Sequence, residues 1–319
     1  MLSNSLQFDS SNKLKHLLGL EFIGKEQILN ILDEAQSLFD NNGKIIESDT
    51  LRDITVANLF FEPSTRTRNT FEIAAKKLKA YVINVDIKNS ATNKGEDLLD
   101  TMRTLKAMQI DMFVIRHRKN KTPHYVAKNI NGVAIINAGD GIHAHPTQAL
   151  LDMYTIRKYK KNFENLSVAI VGDIIHSRVA HSDIPVMQTL GVKDIRLIAP
   201  DALQEYKYQS DIVKCYSNLR QGIKDVDVII LLRIQKERML KAHIPNKEYF
   251  FLKYGLDNNK IKVAKKDVII MHPGPINRGV EINDSIADGA KSVILDQVTN
   301  GIAIRMAVMS VLVRNMKNG

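Results

Sequence analysis

Residues 64–68, Ser-Thr-Arg-Thr-Arg, place three hydroxyl groups and two guanidinium groups on consecutive positions. They follow an apolar run and Pro63, and Phe71, Ala74 and Leu78 continue from them at helical spacing. The first N–H groups of a helix lack intrahelical partners and carry positive potential, so they favour an anion. An arginine adds a planar fork that matches phosphate oxygens. The stretch therefore predicts an anion site, whereas the simpler interpretation is a serine N-cap followed by surface arginines.

Further polar segments stand directly after other apolar runs of the chain. They cover residues 116–117, 137–148, 171–178, 231–238 and 271–279. In open α/β sheets, ligands bind just beyond the carboxyl ends of the strands. We therefore expect four arginines to converge on one cleft that suits a multiply charged anion, namely Arg66, Arg116, Arg178 and Arg233.

The apolar runs themselves indicate the fold class. In order, they cover residues 55–61, 81–86, 111–116, 133–137, 167–172, 194–199, 226–232 and 267–271. Short, continuous, β-branched runs separated by helical patterns are typical of parallel strands that are covered on both faces. The sequence predicts an α/β protein of two domains, each an open, mostly parallel sheet of about four strands flanked by helices. The active site is expected in the cleft between the domains.

The length of 319 residues also favours two domains. A helix that begins at Pro146 is expected to connect them, because proline suits the first helical position. We place the first domain at residues 1–147 and the second at 148–298. A C-terminal helix of about residues 299–319 is expected to pack back on the first domain.

Composition disfavours several classes of protein. The formal charge is +10, but the densest basic run, residues 157–161, is short and isolated, so nucleic-acid binding is not expected. The sequence contains no stretch of about 18 uninterrupted apolar residues, so no membrane span is expected. The single cysteine, Cys215, cannot form a disulfide within the chain and fits a reducing compartment. The first residues lack the pattern of a signal peptide, so we expect a cytoplasmic location.

Common cofactor motifs are missing from the positions where they would be expected. Residues 60–68 lack the Gly-x-x-x-x-Gly-Lys spacing of a P-loop, and residues 171–178 lack the Gly-x-Gly-x-x-Gly of a dinucleotide fingerprint. His143 and His145 lie near Asp140, but no closed tetrahedral ligand set is visible. We therefore expect neither a metal nor a nucleotide or other cofactor.

Seven segments between residues 60 and 282 together resemble one family, that of the aspartate carbamoyltransferase catalytic chains. In chain order they are FFEPSTRTR, SATNKGE, IRH, AGDGIHAHPTQALLD, VGDIIHSRVAHS, LLRIQKER and HPGPINRGVEI. Such a set is far more specific than any single segment, and the resemblance covers essentially the whole chain. It implies carbamoyl transfer from carbamoyl phosphate to the α-amine of L-aspartate, giving N-carbamoyl-L-aspartate and phosphate, an early step of de novo pyrimidine biosynthesis.

The resemblance also implies a role for individual residues. Those implied to bind carbamoyl phosphate are Ser64, Thr65, Arg66, Thr67, Arg116, His145, Gln148, Gly274 and Pro275. Those implied to be catalytic are Arg66, Thr67, Arg116 and His145. Those implied to bind aspartate are Lys94, Arg178, Arg233 and Gln235. Arg68 is expected to serve packing or subunit contacts and not to face the ligand.

The same resemblance implies an assembly. Ser90 and Lys94 match a loop that enters the active site of a neighbouring subunit, so a homotrimer with shared active sites is expected. A separate regulatory chain is a possible further partner.

Two other functions stay open at this point. Ornithine carbamoyltransferases share the first half, but they resemble His-Cys-Leu-Pro where residues 272–275 here read His-Pro-Gly-Pro. Arg178 and Arg233 suit a dicarboxylate acceptor and would repel a cationic one. A non-catalytic anion-binding or scaffold protein of this fold would be expected to lose some anion-site residues, whereas every position considered is present.

Overall fold

The computed structural model describes residues 4–86, 97–234 and 246–317. The chain divides into two compact units. Unit 1 comprises Met1–Leu150 and Thr299–Gly319, and unit 2 comprises Leu151–Val298. Each unit has a parallel sheet flanked by helices, which confirms the predicted fold class.

In its described part, unit 1 contains a four-stranded parallel sheet with the strand order β2-β1-β3-β4. The strands are β1 (Thr55–Phe60), β2 (Tyr81–Val85), β3 (Met112–His117) and β4 (Ala134–Asp140). All four predicted runs of the first half form strands. β1, β3 and β4 are largely buried, as continuous apolar runs require, whereas β2 lies at the edge and is half exposed.

Helices alternate with the strands of this sheet along the chain, and further helices precede and follow them. They are α1 (Asn4–Gln7), α2 (Lys25–Ser37), α3 (Thr65–Lys77), α4 (Leu98–Ala107), α5 (Thr122–Asn129), α6 (Pro146–Lys160) and the last helix of the chain, α11 (Ile294–Lys317). α6 begins at Pro146, as predicted, and the division between the units falls within it. α11 starts five residues before the predicted position, and it contacts unit 1 through Arg305, whose guanidinium lies over the ring of Phe71.

In its described part, unit 2 contains a five-stranded parallel sheet with the order β7-β6-β5-β8-β9. The strands are β5 (Ser167–Val171), β6 (Asp194–Ile198), β7 (Val213–Tyr216), β8 (Val228–Leu231) and β9 (Ile269–Met271). The helices are α7 (Arg178–Leu190), α8 (Leu219–Gly222), α9 (Lys247–Tyr254) and α10 (Asp284–Ala287).

The expectation of about four strands in the second sheet missed β7. This strand lies at the sheet edge, and only Val213 of its four residues is fully buried. An edge strand needs no continuous apolar run, so its sequence, Val-Lys-Cys-Tyr, carries no clear signal. Within the described ranges, no helix combines the length and the apolar character that crossing a bilayer requires.

The core of unit 2 contains a pair of carboxyl groups. Asp152 on α6 and Asp183 on α7 are both completely buried. Neither carboxyl oxygen of Asp183 has a hydrogen-bond partner among the described residues. Burial, and then the neighbouring charge of Asp152, raise the pKa of Asp183 well above its ordinary value. Folding therefore keeps Asp183 protonated over a pH range in which the unfolded chain releases that proton.

The raised pKa of Asp183 predicts a pH-dependent effect of the substitution Asp183→Asn. An aspartate in the unfolded chain has a pKa of about 3.9. Below that pH, Asp183 is protonated in both the folded and the unfolded state, so proton binding does not change the stability of wild type. As the pH rises above that value, wild type loses stability because only the folded state binds the proton. The variant should therefore melt a few degrees above wild type at pH 8, with a gap that closes toward pH 4.

Thermal unfolding of both proteins across this pH range measures the effect. Asp211→Asn, at an exposed position of the same unit, is the control and should follow the wild-type profile. A constant difference at every pH would contradict a buried, protonated Asp183.

Candidate active site

In unit 1, three neighbouring strands end at the same edge of the sheet. Phe60, the last residue of β1, pairs with Arg116 near the end of β3. The N–H of Phe61 then donates to the carbonyl oxygen of Arg116 over 2.9 Å. The parallel register thus places the start of the loop after β1 beside Arg116.

The segment Ser64–Thr67 forms the start of α3. Ser64 is the N-cap residue in an extended conformation, and its side chain makes no capping hydrogen bond within the described part of the chain. The amide of Arg68 makes the first intrahelical hydrogen bond, to the carbonyl oxygen of Ser64 (3.2 Å). The amides of Thr65 and Thr67 precede this bond and have no acceptor inside the helix. The serine hydroxyl is therefore available to a ligand, which favours the anion site over the simple N-cap interpretation.

Arg116 lies between the loop after β1 and the end of β4. Its Nε lies 3.2 Å from Oε2 of Glu62, and its Nη1 donates to the carbonyl oxygen of Ala138 over 3.3 Å. Both charged side chains are largely buried, so the guanidinium is held against the sheet edge. Glu62 was not singled out in the sequence, although it lies two residues before Ser64 within the first motif.

A buried carboxylate shapes the loop after β4. Asp140 is fully buried, and its side chain accepts hydrogen bonds from the amide of Ala144 (3.0 Å) and from Nδ2 of Asn137 (3.0 Å). It also accepts one from the amide of Lys121 (2.6 Å). Burial pushes the pKa of Asp140 upward, but the hydrogen bond and charge of His143, followed by the hydrogen bonds from Asn137 and Lys121, outweigh burial, so the pKa lies below its ordinary value. Asp140 therefore stays ionised and fixes the turn 140–144.

The two histidines of this loop have different surroundings. Nδ1 of His143 contacts the Asp140 carboxylate at 3.1 Å, and its Nε2 lies 3.7 Å from Oε1 of Glu21. His145 is buried and immediately precedes α6, and the amide of Gln148 donates to its carbonyl oxygen over 2.9 Å. In the ranges that the structure describes, no group of three His, Cys, Asp or Glu side chains is arranged to hold a metal.

In unit 2, the neighbouring strands β5, β8 and β9 likewise end at one edge of the sheet. A turn after β5 leads to Arg178, the first residue of α7, which is buried. The turn is held by Asp173, which accepts hydrogen bonds from the amide and the Nδ1 of His176 (3.2 and 2.8 Å). Ser177 caps α7 by accepting from the amide of Ala180 over 3.2 Å.

Arg233 follows β8, the strand beside β5. Leu232 donates its amide to the carbonyl oxygen of Val171 over 2.7 Å, which joins the two strand ends. Gly172 has φ +128°, and a Cβ there would lie 2.7 Å from the carbonyl oxygen of Leu232. Only glycine allows this approach, which places the segments that carry Arg178 and Arg233 at adjacent strand ends.

Glu281 joins the Arg233 segment to the last motif. It is buried, and its Oε1 accepts hydrogen bonds from the amide of Ile234 (3.0 Å) and from Nδ2 of Asn277 (2.8 Å). Its Oε2 accepts from the Asn277 amide over 2.9 Å. Burial raises the pKa of Glu281 despite these hydrogen bonds. Glu281 lies within the last of the seven sequence segments, but the sequence did not indicate its role, because its partner Ile234 is 47 positions away.

The turn after β9 contains Gly274 and Pro275, which are joined by a cis peptide bond. The amide of Gly274 donates to Nδ1 of His272 over 2.7 Å. Since β9 neighbours β8, this turn stands next to the segment of Arg233. Unit 2 therefore presents Arg178, Arg233 and the Gly274–Pro275 turn along one sheet edge.

Two family models match the chain. The one described as "Aspartate/ornithine carbamoyltransferase, carbamoyl-P binding domain" matches residues 15–158, and the one described as "Aspartate/ornithine carbamoyltransferase, Asp/Orn binding domain" matches residues 164–312. The chain belongs to the aspartate/ornithine carbamoyltransferase family. The first match covers the predicted site residues of unit 1, and the second covers those of unit 2.

Relatives and solved structures of carbamoyltransferases agree with this membership. The chain is 62% identical over 312 residues to the aspartate carbamoyltransferase catalytic subunit of Vesicomyosocius okutanii subsp. Calyptogena okutanii (strain HA), covering 98% of both chains. The aspartate transcarbamoylase of Trypanosoma cruzi in complex with carbamoyl phosphate and aspartate is similar at TM-score 0.86 and 28% identity, covering 97% of this chain and 99% of that one. The ornithine carbamoyltransferase of Pyrococcus furiosus reaches TM-score 0.84 and 27% identity, covering 94% and 97%.

Three residues of the predicted carbamoyltransferase site lie outside the described ranges. They are Ser90, Lys94 and Gln235. The other predicted residues fall into two groups, one at the sheet edge of each unit. Unit 1 carries Ser64, Thr65, Arg66, Thr67, Arg116, His145 and Gln148, and unit 2 carries Arg178, Arg233, Gly274 and Pro275.

The two arginines of α3 provide a matched test of the anion site. Arg66 is half-buried in the first turn, whereas Arg68 is exposed. Hydrogen bonds to charged groups contribute about 1.5–3 kcal/mol, so Arg66→Ala should weaken phosphate binding roughly 10- to 150-fold. Arg68→Ala should change it by less than about twofold, because an exposed guanidinium contributes little. Calorimetric titration of both variants with inorganic phosphate measures the difference, and equal losses would contradict this placement of the ligand.

Proposed function

We propose that this chain catalyses carbamoyl transfer from carbamoyl phosphate to the α-amine of L-aspartate, giving N-carbamoyl-L-aspartate and phosphate. The observation that carries the proposal is the pair of arginines, Arg178 and Arg233, at adjacent strand ends of unit 2, in a chain whose unit 1 offers an anion-binding helix start. Two guanidiniums suit the two carboxylates of aspartate. The curated relative at 62% identity carries the aspartate name as well. The reaction belongs to pyrimidine biosynthesis.

Unit 1 supplies the proposed site for carbamoyl phosphate. The start of α3 offers amide groups, the hydroxyls of Ser64, Thr65 and Thr67, and the Arg66 guanidinium to the phosphate. Arg116, His145 and Gln148 complete the set around the carbamoyl group. In the proposed arrangement, Gly274 and Pro275 of unit 2 hold the carbamoyl amide through the backbone.

The proposed reaction forms a C–N bond and breaks a C–O bond. The uncharged α-amine attacks the carbamoyl carbon, and negative charge develops on the carbonyl oxygen. Thr67, Arg116 and His145 would stabilise that charge by donating hydrogen bonds, as an oxyanion hole does. His145 only needs to donate, so a neutral imidazole is sufficient.

The bond to the leaving phosphate then breaks, and the phosphate itself accepts the proton that the amine loses. We therefore assign no protein side chain as general base and no cofactor to the reaction. Much of the rate enhancement in this scheme comes from holding two anions, which otherwise repel each other, in reacting position.

Acceptor choice distinguishes the proposed function from its nearest alternative. The fold is shared with an ornithine carbamoyltransferase, so architecture does not decide between the two. The purified chain should form carbamoyl-aspartate from carbamoyl phosphate and aspartate, and should form at least about 100-fold less citrulline from ornithine, because two arginines disfavour a cationic acceptor. A colorimetric assay for ureido products measures both, and preference for ornithine would overturn the proposal.

A homotrimer with shared active sites is the proposed assembly. Its support is the sheet edge of unit 1, where β2 exposes 66% of Tyr81 and 42% of Ile83 and precedes the segment that contains Ser90 and Lys94. Exposed apolar side chains along an edge strand are typical of a surface that pairs or packs with another chain. A regulatory chain is a further proposed partner, because the relative is named a catalytic subunit. We propose a cytoplasmic location, which the single cysteine fits.

Shared sites predict that two inactive variants restore each other. Arg66→Ala and Lys94→Ala should each lose most activity alone. Each shared site takes Arg66 from one subunit and Lys94 from the next. In a trimer that contains both variants, one of the three sites receives an intact Arg66 and an intact Lys94, so about one third of the sites should be active. Co-expression with two affinity tags and assay of the doubly purified protein measures this, and no recovery would contradict shared sites.

A further inference from the structure

A buried glutamine lies behind the turn that follows β9. Gln297 is in the first turn of α11 and is almost completely buried. Its Nε2 donates to Oδ1 of Asp152 over 2.7 Å, and its Oε1 accepts from the amide of His272 over 2.9 Å. His272 and Asp152 are buried too, so these hydrogen bonds are shielded from water. The three residues form a chain of contacts within unit 2, which we call the Gln297 relay.

The position of β9 explains why His272 needs this partner. β9 is the edge strand of its sheet, so its outward amides have no neighbouring strand. The outward amide of Ile270 donates to the carbonyl oxygen of Lys291 over 2.8 Å. Two residues later, the amide of His272 faces the same side, where the Gln297 side chain takes the place of a strand.

The relay has one consistent direction. A carboxylate only accepts hydrogen bonds and a backbone amide only donates, so Asp152 must face the NH₂ of Gln297 and His272 must face its oxygen. Rotating the side-chain amide by 180° would create two mismatched contacts. Asp152 therefore fixes the orientation of Gln297, and Gln297 fixes the backbone of His272.

His272 transmits this placement into the turn. Its Nδ1 accepts from the amide of Gly274 over 2.7 Å, so the imidazole bridges the strand end and the residue that precedes Pro275. A shift of the His272 backbone would move the ring and with it the Gly274 amide. The turn is thus held by its own histidine, and the histidine is held by Gln297.

We propose that Gln297 is a positioning residue for the carbamoyl group, acting through His272 on the Gly274–Pro275 turn. This inference rests on the proposed function, in which that turn holds the carbamoyl amide. The relay hydrogen bonds described above all lie within unit 2, whereas the proposed phosphate-binding start of α3 lies in unit 1. Loss of Gln297 should therefore impair recognition of the carbamoyl group and leave phosphate binding intact.

The test compares two probes that differ in the carbamoyl-like group. Phosphonoacetamide carries an amide on its phosphonate, and inorganic phosphate carries none. Gln297→Leu keeps the volume of the side chain and removes both hydrogen bonds. We expect it to raise the Kd of phosphonoacetamide at least about tenfold and to lower kcat, while the Kd of phosphate changes by less than about twofold.

Gln204→Leu is the matched control. Gln204 is a buried glutamine of the same unit, whose Nε2 donates to the carbonyl oxygen of Leu197 (3.1 Å) and whose Oε1 accepts from the amide of Glu205 (3.1 Å). The substitution removes the same number of hydrogen bonds away from the turn. It should lower thermal stability like Gln297→Leu but leave both Kd values unchanged.

A second variant tests the relay if Gln297→Leu does not fold. In Gln297→Glu, the new carboxyl can donate to Asp152 only while it is protonated, and the carboxyl groups that face this position are Asp152 and, beside it, Asp183. Activity relative to wild type should therefore fall as the pH rises, because the ionised glutamate repels the Asp152 carboxylate. A packing defect that does not involve the Asp152 contact would not produce this pH profile.

The outcomes separate the two proposals. An inactive wild-type protein would overturn the proposed function. An active wild type whose Gln297 variants bind phosphonoacetamide normally, or lose phosphate and phosphonoacetamide affinity equally, would overturn the positioning role alone. A flat pH ratio for Gln297→Glu would also overturn it.

Discussion

Parallel strand pairing is the constraint on which the placement of every chemical group in this chain depends. In a parallel sheet, the carboxyl ends of all strands lie at the same edge. Residues that follow different strands are therefore brought close together although they are far apart in sequence. The pairing of Phe60 with Arg116 brings the start of α3 beside an arginine in unit 1. In unit 2, the joined ends of β5 and β8 do the same for Arg178 and Arg233. Unit 1 thereby gathers most of the residues proposed to bind carbamoyl phosphate, and unit 2 gathers the two arginines proposed to bind aspartate.

Buried polar side chains then hold the loops at these edges. Asp140, Asp173 and Glu281 each accept hydrogen bonds from backbone or side-chain donors of a turn that carries a predicted ligand-binding residue. A buried acceptor left without donors is costly, so each turn is specified by the need to satisfy its own carboxylate. Gln297 performs the equivalent task for the edge strand β9. The loops near the site are therefore held by specific hydrogen bonds, just as the strands are.

The sequence predicted the two-sheet architecture and eight of the nine described strands, because continuous apolar runs report buried parallel strands directly. It missed β7, whose edge position requires no such run. It placed the arginines at strand ends, since motif and topology point to the same positions. Glu62, Glu281 and Gln297 could not be assigned roles, because their partners are defined only by tertiary contacts. The Ser64 side chain was ambiguous between cap and ligand donor until its geometry was known.

The ion pair between Glu62 and Arg116 has a consequence for turnover. In the proposed reaction, the phosphate that forms must leave before the next cycle begins. Glu62 is a tethered anion beside the Arg116 guanidinium, so any ligand of that guanidinium competes with it at high effective concentration. In the proposed reaction, Arg116 donates to the carbamoyl oxygen, and Glu62 is the acidic partner that remains beside it when the products leave. Competition from Glu62 would therefore weaken the hold of Arg116 on a bound ligand and favour its release.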